Sequence, residues 1–182
     1  MEALANSELG IELSLEHDTS LCDKVLEAYF PNTRYLKSGV IHKMDMGVTS
    51  DLVSATCDFA IPESCYINDT GHFNSVEFNI CYNQMMYYAI AMSVKHGLMS
   101  SLNHWDLNTY FTKQLPDILI VNFKSKFKKP INSRGFSGYI DFHSSRVVKG
   151  GKSMLFMKTD CRFRDADGGD CSGSVDLVVV KP

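Results

Sequence analysis

Residues 74–96 read NSVEFNICYNQMMYYAIAMSVKH, without a glycine or proline and with two formal charges, Glu77 and Lys95. The apolar residues of this run do not keep to one side. At 3.6 residues per turn they occur all round a cylinder of about six turns. A surface helix keeps a polar face, so a helix of this composition has to be wrapped by the rest of the chain.

The flanking sequence supplies the wrapping. Residues 21–29, LCDKVLEAY, put Leu21, Val25 and Tyr29 on one helical face with Leu26 beside them, a short amphipathic helix that Pro31 closes. Residues 38–46 and 52–61 carry β-branched residues in partial alternation, and Gly47 with Thr49, Ser50 and Asp51 supplies turn chemistry, so they read as an antiparallel pair. Beyond a polar turn at 97–101, residues 105–115 offer another short helix ended by Pro116. Residues 118–127, 136–142, 154–163 and 174–180 are strand-like, separated by Pro130, by Gly150-Gly151 and by residues 165–173. One long buried helix with two strands before it and four after predicts an α+β domain of the hotdog kind, a curved antiparallel sheet round a central helix. A single domain over residues 1–182, with an N-terminal helical extension, accommodates all of it.

Composition narrows the partners. Hydrophobic residues make up 45% of the 182, enough for a core that needs no disulfide or metal support. Eighteen Lys and Arg against 21 Asp and Glu give a net charge of −3, which excludes a broadly basic nucleic-acid binder, so any polyanion must meet a local patch. The N-terminal MEALANSELGIELSLEH lacks the basic and apolar regions of a secretory signal, and no window is apolar for long enough to span a membrane. The chain reads as cytoplasmic. Its six cysteines form no C-x-x-C pair and no metal-like spacing with histidine, so they read as reduced thiols in or near the core, and no metal or other cofactor is called for. Asn68-Asp69-Thr70 matches a glycosylation sequon and reads as a turn.

Polar residues crowd the start of the apolar helix: Tyr66, Asn68, Asp69, Thr70, Gly71, His72, Asn74, Glu77 and, further in, Asn83. Asn74 and Glu77 have capping-box spacing, and capping alone accounts for both. Asn83 lies mid-helix, where capping is not available, and shares a face with Tyr87 four residues on. Its amide pairs internally, or else with Tyr66 orients a thioester or a water near helix-start N–H groups that polarise a carbonyl. His72 is a local hydrogen-bonder or a base at neutral pH. No G-x-S-x-G motif occurs and no cysteine has a neighbouring base, which disfavours an acyl-enzyme. Lys124, Lys126 and Lys128 alternate with Phe123, Ser125 and Phe127, placing three ammonium groups on one strand face, with Lys129 and Arg134 nearby. That face is solvated edge protection, or a landing site for coenzyme A phosphates or an acidic carrier protein.

The run ESCYINDTGHFNSVEFNICYNQMMY (residues 63–87) closely resembles the FcoT-like thioesterase family, with its TGHFN-x-VE and C-x-NQ-x-x-Y pattern. LEAYFPNTRYL, SKFKKPIN and DGGDCSGSVDL extend the resemblance over nearly the whole chain. The resemblance also implies a hotdog fold with its site at a dimer interface, hence at least a homodimer. It further implies one of two activities. One branch hydrolyses long-chain fatty acyl-CoA thioesters. The other, tied to isonitrile lipopeptide pathways, adds glycine to the β-carbon of a (2E)-enoyl-acyl carrier protein and then releases the N-carboxymethyl-3-amino fatty acid by thioester hydrolysis. Carried over with the motif are Tyr66, Asn83 and Tyr29 at the acyl or thioester site, with Thr70, His72, Asn74 and Glu77 matching the motif, and Arg34 and Lys129 matching as basic positions.

Three readings follow. An enzyme needs an acyl tunnel, for which Ile80, Met85, Met86, Ile90 and Met92 are candidate walls, although core packing explains them equally. A non-enzymatic acyl-carrier-binding subunit would have lost the polar cluster, which is intact. Between the two enzymes, glycine addition ranks first: Arg34 is suited to the glycine carboxylate, and Glu77 or His72 to the ammonium proton. The expected catalytic set is therefore Tyr66, Asn83, Glu77 and His72, and the substrate-binding set Tyr29, Arg34, Thr70, Asn74, Tyr87 and Lys129.

Overall fold

The computed structural model describes residues 11–44, 52–68, 70–148 and 153–182, and its axis is a 22-residue helix, α2 (Ser75–His96). At 1.5 Å per residue such a helix is about 33 Å long, comparable with a small domain. Asn74 caps its start, and Gly97 ends it at a φ of 63°, a left-handed conformation that favours glycine. Of its residues 14 are buried, including every one from Gln84 to Ser93.

Among the described residues, eleven further elements accompany it. The strands are β1 (Ile11–Leu15), β2 (Leu36–Met44), β3 (Val53–Phe59), β4 (Ile118–Lys129), β5 (Phe136–Val148), β6 (Met154–Arg164) and β7 (Asp170–Val180). They form one antiparallel sheet in the order β1-β2-β3-β5-β6-β7-β4. The helices are α1 (Thr19–Leu26), α3 (Leu107–Lys113) and two 3-10 turns, Pro31–Thr33 and Ser100–Leu102.

The edge strand β4 and, toward the other end of the sheet, β2 both touch α2. The Phe78 ring meets Phe123 and Phe127 of β4 and Phe163 of β6 edge-on, with centroids 5.0–5.7 Å apart. On the far side Tyr88 packs so closely on β2 that a Cβ at Gly39 would come within 2.8 Å of its ring. The wrapped helix and curved sheet are the hotdog arrangement that the composition of α2 predicts. Among the described residues no helix is long and apolar enough to cross a membrane.

The element boundaries differ from the sequence expectation where local bonds compete with periodicity. β1 is a strand that the sequence reading passed over. α1 starts at Thr19, because the Asp18 carboxylate caps it at Leu21 N (3.0 Å), and ends at Leu26, so Tyr29 lies in the turn beyond it rather than on its face. β7 begins at Asp170, inside the stretch read as a turn. There the Asp165 carboxylate accepts from the N–H groups of Asn132, Asp167 and Gly169 and closes the turn early. The turn expected at 47–51, residues 45 and 46 of the expected strand, and the Gly150-Gly151 separator lie outside the described residues.

The wrapping of α2 is incomplete near its start. Val76 and Asn79 are exposed, and Ile80 and Asn83 half-buried, on one stripe of an otherwise covered helix. Flanking that stripe, Gln84 is fully buried and bonded at both ends of its amide: Oε1 accepts from Tyr35 N and Leu36 N at 2.9 Å, and Nε2 donates to Thr33 O at 2.6 Å. It fastens the segment carrying Arg34 and Tyr35 to α2.

Leaving a buried backbone donor unpaired costs about 1–3 kcal/mol. Gln84→Leu orphans two such donors and a carbonyl, and is expected to lower unfolding free energy by about 2 kcal/mol or more in chemical denaturation. A second expectation concerns acid. The Lys95 ammonium and the Leu21 N–H hold Asp18 at about 2, below the usual 3.8. A depressed carboxylate stabilises the fold above the unfolded pKa and stops doing so as pH falls through the folded one. The stability deficit of Asp18→Asn should therefore be full above about pH 4 and vanish toward pH 2, as read from thermal melts across that range.

Candidate functional site

The loop before α2 is fixed at both ends. Ile61 N donates to Ser133 O (2.8 Å), Phe73 N donates to Ile131 O (3.0 Å), and Arg134 donates to Ile61 O. Phe73 also packs on Phe136 and Phe163 (4.7 and 5.2 Å). These contacts set Asn74 at the helix start, where its Oδ1 accepts from Val76 N (3.0 Å), Glu77 N (3.2 Å) and the Tyr66 hydroxyl (2.9 Å). Glu77 reaches back to accept from Asn74 N at 3.2 Å, completing the capping box, and is 2% exposed. A carboxylate buried this deeply is held by that N–H and by the partial positive charge of the helix start.

The cap corrects one expectation. Two of the helix-start N–H groups offered to a substrate carbonyl, those of Val76 and Glu77, are already taken by Asn74. The Ser75 N–H lies outside these bonds, beside a cleft of about 420 Å³ lined by His72, Asn74, Ser75, Phe127, Lys128 and Lys129 among others. In that cleft His72 Nδ1 donates to Thr70 O (3.0 Å) while the Thr70 hydroxyl donates to His72 O (2.9 Å). This pairing puts the proton of the neutral ring on Nδ1 and leaves the Nε2 lone pair for another partner. Asn68 is exposed nearby, and Asp69 lies outside the described residues.

A second group sits further along α2. Asn83, expected to be buried, is half-buried and its amide donates to Asn79 Oδ1, one turn back, at 3.3 Å. Nine residues separate it from Asn74, about 13 Å along the axis. One chain therefore does not bring Asn83 to Tyr66, because Tyr66 is tied to the cap while Asn83 lies on the open stripe. Tyr87 is 8% exposed, and its carbonyl accepts from the Tyr110 hydroxyl at 2.8 Å. Burial first, and then the neighbouring Tyr87 and Cys81, raise the Tyr29 hydroxyl pKa, placing Tyr29 against this part of the helix. Arg34 is half-buried and its Nε donates to Tyr29 O at 3.0 Å. The expected residues thus form two clusters: Tyr66, Thr70, His72, Asn74, Glu77 and Lys129 at the helix start, and Tyr29, Arg34, Asn83 and Tyr87 at mid-helix.

All six cysteines are unpaired, and all but Cys65 are buried. Burial and then the Glu77 charge push Cys81 well above the ordinary thiol range, and burial pushes Cys161 and Cys171 to about 12. A thiol is nucleophilic as thiolate, so none of these three serves as an acyl acceptor. Among the described residues no group of three His, Cys, Asp or Glu is placed to hold a metal ion.

The lysine strand is built as its alternation predicts, with Phe123 and Phe127 turned onto Phe78, and Lys124, Lys126 and Lys128 exposed on the other side. Lys128 lies 3.5 Å from Asp170. Lys124 and Lys126 line an open cleft of about 500 Å³ with Arg162 on the outer sheet face.

Sequence reasoning missed Gln84, whose signal was a neutral polar side chain inside an apolar helix.

Residues 24–179 match the model of the FcoT-like thioesterase domain. The chain is 47% identical over 165 residues to the (2E)-enoyl-[ACP] glycyltransferase of Streptomyces coeruleorubidus, covering 90% of this chain and 97% of that protein. It is 38% identical to the protein of the same name from Mycobacterium marinum, covering 88% and 85%. Among solved structures it is similar to a variant thioesterase from Pseudomonas aeruginosa, with a TM-score of 0.46, 9% identity and 90% and 94% coverage. It is also similar to zebrafish thioesterase superfamily member 2, with a TM-score of 0.44, 12% identity and 88% and 94% coverage. The family match spans the fixed loop, the capped helix and nearly the whole sheet, and the chain belongs to the FcoT-like thioesterase family.

Proposed function

We propose that the protein adds glycine to C3 of a (2E)-enoyl thioester on an acyl carrier protein and then hydrolyses the thioester, releasing an N-carboxymethyl-3-amino fatty acid. The observation that carries this reading is the 47% identity, over 90% of the chain, to a protein named for that transfer. The helix start supports it with a buried carboxylate and a tyrosine hydroxyl both bonded to Asn74, which shares a cleft with a histidine.

Glycine arrives as an ammonium and becomes nucleophilic on losing a proton, which Glu77 accepts. The nitrogen lone pair forms the bond to C3, and the C2–C3 π pair moves toward the thioester to give an enolate. The enolate oxygen meets the Ser75 N–H, joined by the Tyr66 hydroxyl as it turns from Asn74 Oδ1 to the substrate, and proton return to C2 completes the addition. In the second stage the free Nε2 of His72 takes a proton from water as the water oxygen attacks C1, and the carrier thiol leaves with a proton. Asn83, Tyr29, Tyr87 and Arg34 accommodate the acyl portion along the open stripe of α2. Lys124, Lys126, Lys128 and Lys129 receive the acidic carrier and the phosphate of its arm, matching charge on a face that is otherwise solvated. Unpaired buried thiols fit a reducing compartment, and we place the reaction in the cytoplasm.

The working unit is a homodimer or larger. Val76 is 42% exposed on a helix that is otherwise covered, and the edge strand β4 leaves Leu119, Val121 and Phe127 between 42 and 58% exposed. A second copy that covers these groups buries apolar surface beside both clusters and removes an open strand edge.

Mass spectrometry of enoyl-carrier protein incubated with the enzyme is expected to reveal a free acid carrying one glycine when glycine is supplied, and none without it. Release of unmodified enoic acid in both cases would replace this reading with plain acyl thioester hydrolysis. Light scattering after gel filtration is expected to give at least a dimer, and a monomer at assay concentration would contradict the assembly.

A further inference from the structure

The turn between β6 and β7 is built on one carboxylate, and only half of that carboxylate serves the turn. Asp165 Oδ1 accepts from Asp167 N (3.0 Å) and Gly169 N (2.7 Å), which closes the turn on itself. Its second oxygen reaches out of the turn: Oδ2 accepts from Asn132 N at 2.6 Å, in the loop that joins β4 to β5, 33 residues back in the chain. That bond is the first cause holding the Asp165 carboxyl below the ordinary carboxylate range. A second contact joins the same two segments. A Cβ at Gly169 would come within 2.5 Å of Pro130 O and 2.8 Å of Ile131 Cα, so turn and loop pack with no room for a side chain between them.

The loop held in this way supplies part of the helix-start cleft. Lys129 and Pro130 line that cleft together with His72, Asn74 and Ser75. Directly after them Ile131 O accepts from Phe73 N, and Ser133 O accepts from Ile61 N. Asn132 lies between those two carbonyls, so the bond from Asp165 fixes the backbone that sets where the Lys129 side chain starts. Asp165 is not among the residues that line the cleft. We propose that Asp165 is a positioning residue for the carrier arm: through the Asn132 N–H it holds residues 129–132 in place, and with them the Lys129 ammonium that receives the phosphate of the arm. This rests on the carrier reading above and deepens it.

The test uses the full chain and two substrates, an enoyl-carrier thioester and the same enoyl group on N-acetylcysteamine, which has no phosphate. In Asp165→Asn the amide oxygen still accepts from Asp167 N and Gly169 N, whereas the amide nitrogen is a donor and cannot bond the Asn132 N–H. Gly169→Ala reaches the same loop by another route, pushing on Pro130 without removing a hydrogen bond. Each variant is expected to raise KM for the carrier thioester by about three- to tenfold, the usual worth of one hydrogen bond, and to leave KM for the short thioester unchanged. Lys129→Met should raise KM for the carrier thioester about tenfold, and adding Asp165→Asn to it should raise it no further. Unchanged KM in both variants would overturn the proposal, as would an equal rise for the two substrates, which marks a purely structural turn. Additive losses in the double variant would overturn the link to Lys129 and the proposal with it. No effect of Lys129→Met would overturn the landing of the carrier on this lysine, and the positioning role falls with it. A wild-type enzyme that hydrolyses the carrier thioester without forming a glycine adduct would overturn the glycine reading alone, and the same KM comparison, read on hydrolysis, still decides the role of Asp165. Should either turn variant fail to fold, the ratio measured on the other decides.

Discussion

The amide oxygen of Asn74 is the joint on which the site depends. It takes two helix N–H groups and the Tyr66 hydroxyl, while the N–H of the same residue holds Glu77. The need for such a joint follows from α2 itself. A helix apolar all round has to run through the inside of the domain, so its first turn cannot rely on water to satisfy its free N–H groups. The chain satisfies them with its own side chains, and in doing so buries a carboxylate at the positive end of the helix. On the proposed mechanism, structural necessity and chemistry share the same residues.

This arrangement divides the surroundings of Glu77 into two sides. On the open side lie the Ser75 N–H, His72 and the lysines at the end of β4, which suit a charged carrier arm and a carbonyl that gains negative charge. On the buried side Tyr35 lies against Cys65, its backbone fixed by Gln84, and the 61–73 loop is clamped on residues 131–134. The mid-helix cluster lies about 13 Å away along the axis, a distance suited to an acyl chain rather than to the reacting atoms.

Much of this was legible in the sequence because it is local. The span of α2, its capping box and the inward turn of Phe123 and Phe127 all follow from periodicities and short-range bonds that a single chain displays. What escaped was set at long range. The end of α1 before Tyr29 and the early start of β7 depend on particular carboxylates, Asp18 and Asp165, finding backbone N–H groups. The stripe that leaves Asn83 half-open depends on how far the sheet curls. The anchoring of Tyr35 by Gln84 is a contact across 49 residues of chain, which no helical or strand period reports.

If Glu77 is the base for glycine as well as half of a cap, the two roles separate in Glu77→Gln, which keeps the shape and a carbonyl oxygen to accept from Asn74 N but cannot take the ammonium proton. The measurement is the rate of glycine adduct formation on an enoyl-carrier thioester beside the rate of hydrolysis of the saturated thioester of the same chain length. A variant that stays folded should lose adduct formation by about a hundredfold or more, the usual contribution of a placed base, with a much smaller loss in hydrolysis. Equal loss of the two reactions would contradict the assignment and leave Glu77 as a cap that serves both steps alike.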